Sequence, residues 1–225
     1  MGVVLELLLF IIAGGALGLL CMQLTEKLIE VRVAPCMDVL NVNNKAAPFL
    51  WAFGMAVLFG LMCFTVPSYI TRLEYALVIC AVACIAVVDI SIKRIPNELL
   101  LTILAVKVVS VIVNGIISGF RWEMIVSPLI GMVIGLAAFL LPSLFHLYIG
   151  NGDIKYGAVV GFYFGFYGFL QSMIVMALAV LIYYLVLRIT KKGNMKTHVP
   201  MGPFFSLGVL VTMFLPFFGS AISAL

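Results

Sequence analysis

The chain contains three aspartates, Asp38, Asp89 and Asp153, in a sequence that is 65% hydrophobic. Two of them stand at the ends of long apolar runs, in Val87-Val88-Asp89 and in Gly150-Asn151-Gly152-Asp153-Ile154-Lys155. A carboxylate is costly to place at a membrane boundary, so one found there is a functional-site candidate by default. Two on the same side of a membrane can share one proton. The ionised member can then take a proton from water attacking a carbonyl carbon, while the protonated one hydrogen-bonds the carbonyl oxygen. Such a pair titrates as a unit, so neither residue is assigned as base or acid.

The elements that hold these residues follow from composition. A mean hydropathy of +1.28 with 10% charged residues excludes a soluble globular domain, in which about 25% would be charged. At about 20 residues per span, 225 residues give room for seven or eight transmembrane helices. The expected fold class is all-α, a polytopic membrane helix bundle forming a single membrane-embedded domain over residues 1–225. No repeat, low-complexity segment or second soluble domain interrupts it, and no nucleic-acid partner is expected. The first apolar run lacks a basic n-region, exceeds a usual h-region and precedes no A-x-A site, so it reads as a retained first helix.

Eight apolar spans are expected, at about residues 3–24, 48–69, 75–92, 98–118, 125–148, 154–168, 170–188 and 201–223. The sixth is short and rich in glycine and aromatics; its small residues would let neighbouring backbones approach closely. With loop 25–47 in the cytoplasm, alternation puts Lys27, Arg32, Lys45, Lys93, Arg94, Lys155, Arg188, Lys191, Lys192 and Lys196 on that side. Only Arg72 and Arg121 fall outside, and Lys107 lies within the fourth span. This positive-inside bias places both termini outside, and Asp89 and Asp153 at similar depth on the cytoplasmic side.

Around Asp89, Lys93 at i+4 can stabilise the ionised carboxylate. Ile95-Pro96-Asn97 predicts a sharp turn, because Pro disfavours helix at the preceding residue and Asn can cap the next helix. Around Asp153, Gly150 and Gly152 permit backbone conformations closed to other residues and let another chain come near. Asp153 is also placed near the first turn of a helix, where negative charge is favoured.

These residues resemble the prepilin leader peptidases, membrane aspartic peptidases of the G-x-G-D class. The likeness rests on Asp89 with Ile95-Pro96-Asn97, on Gly150 through Lys155, and on a third block. That block, Val199-Pro200-Met201-Gly202-Pro203-Phe204-Phe205-Ser206-Leu207-Gly208, is similar to the family's proline- and glycine-rich lead-in to its last helix. The resemblance covers about residues 75–210. It implies that Asp89 and Asp153 are the catalytic pair, with Pro96, Asn97, Gly150, Gly152, Lys155, Pro200, Gly202 and Pro203 near the bound substrate. It also implies cleavage after a glycine, ahead of the hydrophobic helix of a type IV prepilin or pseudopilin, at the cytoplasmic face of the cell's inner (plasma) membrane.

Many relatives carry a cytoplasmic insert with two C-x-x-C pairs, associated with N-methylation. Here the loop at 25–47 is short and holds one cysteine, Cys36. A zinc-type tetracysteine cannot be built from it, so no methyltransferase activity, S-adenosylmethionine, metal or other cofactor is expected. Cys21, Cys63, Cys80 and Cys84 lie in apolar runs and read as packing residues. Lys107 is expected to pair with a carboxylate or to snorkel, and Glu6 to reach the outer interface. His146 reads as a packing or interfacial residue and His198 as a solvated loop residue.

Two rival readings use the same aspartates. A presenilin-like protease would have a tyrosine before its first aspartate and a Pro-Ala-Leu motif; here Val88 precedes Asp89 and no Pro-Ala-Leu occurs. A cation or proton transporter would hold its carboxylates near the bilayer midplane, not at the membrane edge.

Overall fold

Seven helices and no strand occur among the residues that the computed structural model describes, 2–32, 46–145, 150–190 and 200–216. They are α1 (Gly2–Arg32), α2 (Ala47–Thr65), α3 (Tyr69–Ile92), α4 (Asn97–Ser118), α5 (Glu123–Leu144), α6 (Asn151–Ile189) and α7 (Met201–Phe214). The first six are long and apolar enough to cross a membrane. Exposed Leu, Ile, Val and Phe cover their outer faces, as expected where hydrocarbon rather than water is the solvent. The chain divides into two compact units, Met1–Ser110 and Val111–Leu225, with the boundary inside α4.

In the first unit α1 outruns its expected end at residue 24 and continues through Arg32. Thr25 belongs to this extension, buried, with its hydroxyl donating to the Cys21 carbonyl at 2.7 Å. The segment 25–47 is therefore helical over its first eight residues, and residues 33–45, with Asp38 and Cys36, lie outside the described residues. On α1, Gly14 and Gly18 meet the backbone of α2. A Cβ at these positions would stand 2.8 Å from the Met55 carbonyl oxygen and 2.6 Å from that of Trp51.

The outer loop expected at 70–74 is helix instead. α3 starts at Tyr69, with only three residues between it and the end of α2. Arg72, expected as an exposed loop cation, is 9% exposed. It pairs with Glu6 of α1 and its Nε donates to the Val66 carbonyl at 2.6 Å. A second nitrogen donates to the Cys63 carbonyl at 3.3 Å, and the guanidinium lies over the Phe10 and Tyr69 rings. One cation thus satisfies carbonyls at the C-terminal end of α2, which no continuing helix could reach, and ties three helices at one end. Glu6 is held in this tie.

In the second unit α5 and α6 approach backbone to backbone. Gly131 faces Gly161 and Gly135 faces Gly157, with no room for a Cβ on Gly131, Gly135 or Gly161. The glycine-rich stretch therefore packs as its composition predicts. Between its two arms α6 breaks at Gly165, with φ 71° and ψ −169°, a conformation closed to residues bearing a Cβ. The expected spans 154–168 and 170–188 correspond to these arms, with the break four residues before Phe169.

Both arms pack along α7. Phe205 meets the Tyr156 ring at 4.9 Å and the Phe169 ring at 6.4 Å, while its neighbour Phe204 meets Tyr183 at 5.3 Å. A straight helix would hold Tyr156 and Tyr183 about 40 Å apart. Their contacts to adjacent residues of α7 put them at one level, so Gly165 folds α6 back on itself. Buried hydroxyls support the arrangement, with Ser172 and Thr212 bonded at 3.0 Å.

Candidate active site

One candidate carboxylate stands at the C-terminal end of α3. Val78, Ile79, Val82, Ile85 and Val88 form its buried face, and Asp89 follows on that face at 5% exposure. A helix interior this apolar keeps a carboxylate only where its surroundings are polar or it carries a proton. The N–H of Lys93 donates to the Asp89 carbonyl at 2.9 Å. Lys93 does so in the left-handed conformation, φ 51° and ψ 40°, a helix stop more often made by glycine.

The predicted turn follows. Ile95 and Pro96 are buried, and Asn97 is exposed at the head of α4. Next to it Glu98 pairs with Arg32, so the end of α1 is fastened to the start of α4 beside this turn. Sequence reasoning missed that pair, whose members stand 66 positions apart. Farther along α4, Ser110 donates to Glu74 at 2.6 Å, and Lys107, three residues earlier, is half-buried.

The other candidate carboxylate stands at the start of α6. Gly150 is extended, φ −62° and ψ 137°, and its carbonyl accepts the N–H groups of Asp153 at 3.0 Å and Ile154 at 3.2 Å. Asp153 is thus the third residue of the first helical turn, half-buried. Its carboxylate folds back over Gly150: a Cβ at 150 would lie 3.0 Å from Asp153 Oδ2. Gly152 is half-buried and Lys155 exposed.

α7 contributes the third motif. Pro200 precedes its first turn in extended conformation. Gly202 is buried and Pro203 half-buried, while Phe205 and Ser206 reach Tyr156 on α6. Asp89 and its turn belong to the first unit; Asp153, Gly150, Gly152, Lys155, Pro200, Gly202 and Pro203 belong to the second.

Among the described residues no group of three His, Cys, Asp or Glu side chains is arranged to hold a metal ion. Cys21, Cys63, Cys80 and Cys84 are free thiols, and Cys84 Sγ lies 3.7 Å from the Cys21 carbonyl. Cys21 is thereby a neighbour of the Cys84 turn, a proximity across helices that sequence spacing does not carry. His146 and His198 lie outside the described residues.

Six helices apolar and long enough to cross a membrane define a membrane protein, with one carboxylate at the end of α3 and another in the first turn of α6. Residues 76–187 match the model of the type IV leader peptidase family, a stretch from α3 through most of α6 that contains both aspartates. The chain belongs to this family and is a peptidase. No match was found among curated proteins or solved structures.

Proposed function

We propose that this protein is an aspartic endopeptidase that removes the leader from type IV prepilins or pseudopilins at the cytoplasmic face of the membrane. The observation that carries the reading is the family match enclosing Asp89 and the Gly150–Lys155 turn together. In this mechanism Asp89 and Asp153 act as one dyad. One carboxylate deprotonates water as it attacks the scissile carbonyl; the other donates a hydrogen bond to the developing oxyanion. The proton then passes to the leaving amine, and both carboxylates are restored.

The chain's own features fit this role. Asp153 sits at a helix N-terminus beside two glycines, residues whose lack of a side chain suits the close approach of an extended peptide. Asp89 precedes a buried Ile95-Pro96 turn. Positive charge concentrates on the side assigned to the cytoplasm, and the fold-back at Gly165 is compatible with eight crossings and both termini outside. No N-methyltransferase activity is proposed, because the 25–47 segment lacks the paired cysteines. The inner (plasma) membrane is the proposed location.

The test is to reconstitute the chain in vesicles with prepilin-type substrates and determine the new N-terminus by mass spectrometry. Cleavage after a glycine, just ahead of the hydrophobic helix, supports the reading. Ion flux that requires both aspartates, without cleavage of any such substrate, would establish the transporter instead.

A further inference from the structure

The Gly150-Asn151-Gly152 lead-in cannot by itself fix where Asp153 points, because two of its three residues have no side chain to pack. Asn151 and Lys155 are exposed, and Gly152, Asp153 and Ile154 are half-buried. Tyr156 is the first fully buried residue of α6, at 0% exposure. It stands three positions after Asp153, on the same helical face.

Its ring is held edge-on against Phe205 at 4.9 Å, and Phe205 in turn meets Phe139 of α5 at 5.6 Å. Its hydroxyl lies 3.0 Å from Ser206 Oγ of α7, and Ser206 is 2% exposed. A hydroxyl buried this deeply requires a partner, so the pair selects one rotation of the first arm about its axis. The next residue, Gly157, meets the Phe139 ring at the α5 interface, and Gly165 separates this arm from the rest of α6.

We propose that the Tyr156–Ser206 hydrogen bond is a positioning contact that sets the rotation of the first arm of α6 and thereby the direction of the Asp153 carboxylate. Tyr156 and Ser206 are positioning residues, and the α7 block around Pro200–Gly208 acts on Asp153 through them. The catalytic consequence rests on the function proposed above; the contact itself does not.

The experiment compares the wild-type chain, Tyr156→Phe, Ser206→Ala and Ser206→Thr in two readouts. The first is steady-state leader removal from a prepilin-type substrate in vesicles. The second is hydrogen–deuterium exchange of the peptide spanning residues 151–157. Tyr156→Phe and Ser206→Ala are expected to lower kcat about tenfold with KM within about twofold, as for one lost orienting hydrogen bond. Both should also speed exchange in 151–157, while Ser206→Thr, which keeps the hydroxyl, restores kcat and protection toward wild type. Unchanged exchange in Tyr156→Phe and Ser206→Ala overturns the proposal, whatever kcat does. So does faster exchange with kcat unaltered. If the wild-type chain removes no leader, the proposed function fails, and the exchange readout alone decides whether the contact orients this turn.

Discussion

Asp153 folds back over Gly150 so closely that a Cβ at position 150 would stand 3.0 Å from the carboxylate oxygen. The glycine therefore leaves the carboxylate room in this orientation. Its own φ of −62° is one that any residue can adopt. Gly150→Ala should fold normally yet push the carboxylate by a few tenths of an ångström. Turnover is expected to fall about tenfold, since small misplacements of reacting groups are costly. Equal kcat in the alanine variant and wild type would show that the carboxylate is free to move away.

The fold-back of α6 depends on Gly165. Its positive φ and extended ψ exclude a Cβ, and one placed there would lie 2.5 Å from Ser127 Oγ. Gly165→Ala should destabilise the second unit by about 1–3 kcal/mol, read as lowered thermal stability in detergent. Adding Ser127→Ala should relieve the collision but leave the backbone strain, so recovery is partial.

The Glu6–Arg72 tie makes a separate prediction in the first unit. Arg72→Met leaves Glu6 without its cation and uncaps the Val66 and Cys63 carbonyls. The expected loss is on the order of 3 kcal/mol, visible as a lower unfolding temperature. Glu6→Gln should cost less, because the guanidinium keeps both carbonyls.

Chelators should leave leader removal unchanged, because the proposed chemistry uses carboxylates and water alone. Activity measured before and after EDTA treatment checks this; loss that zinc restores would require a metal-dependent step.

How much of this was legible in the sequence can be followed residue by residue. The glycines of the sixth expected span, 157 and 161 among them, announced close packing, but their partners Gly131 and Gly135 on α5 were identified only by the structure. Gly165 was visible as one glycine among many, but nothing local marked it for a φ of 71°, and its close neighbour Ser127 on α5 is brought to it only by the fold. The end of α1 was misplaced because hydropathy stops at Leu24 while helix propensity does not. Glu26, Lys27 and Glu30 continue the helix as good helix formers. Arg72 was read as a loop charge for the same reason: its Glu6 partner and the carbonyls it satisfies are brought to it only by the tertiary fold. Asp89 and Asp153 stood out at once, since a carboxylate among apolar residues is conspicuous without any structure. Tyr156 did not, because a tyrosine in an aromatic-rich helix carries no sign that its hydroxyl is buried against a serine 50 positions away.

The measurement that tests the central claim most directly is leader removal by Asp89→Asn and Asp153→Asn, each assayed singly against the wild-type chain at equal membrane abundance. Asparagine preserves size and cannot ionise, so it removes the proton chemistry and little else. If the two carboxylates work as one dyad, either substitution abolishes cleavage, and the double variant is no worse than the singles. A single variant that still removes the leader at the wild-type rate would contradict the dyad.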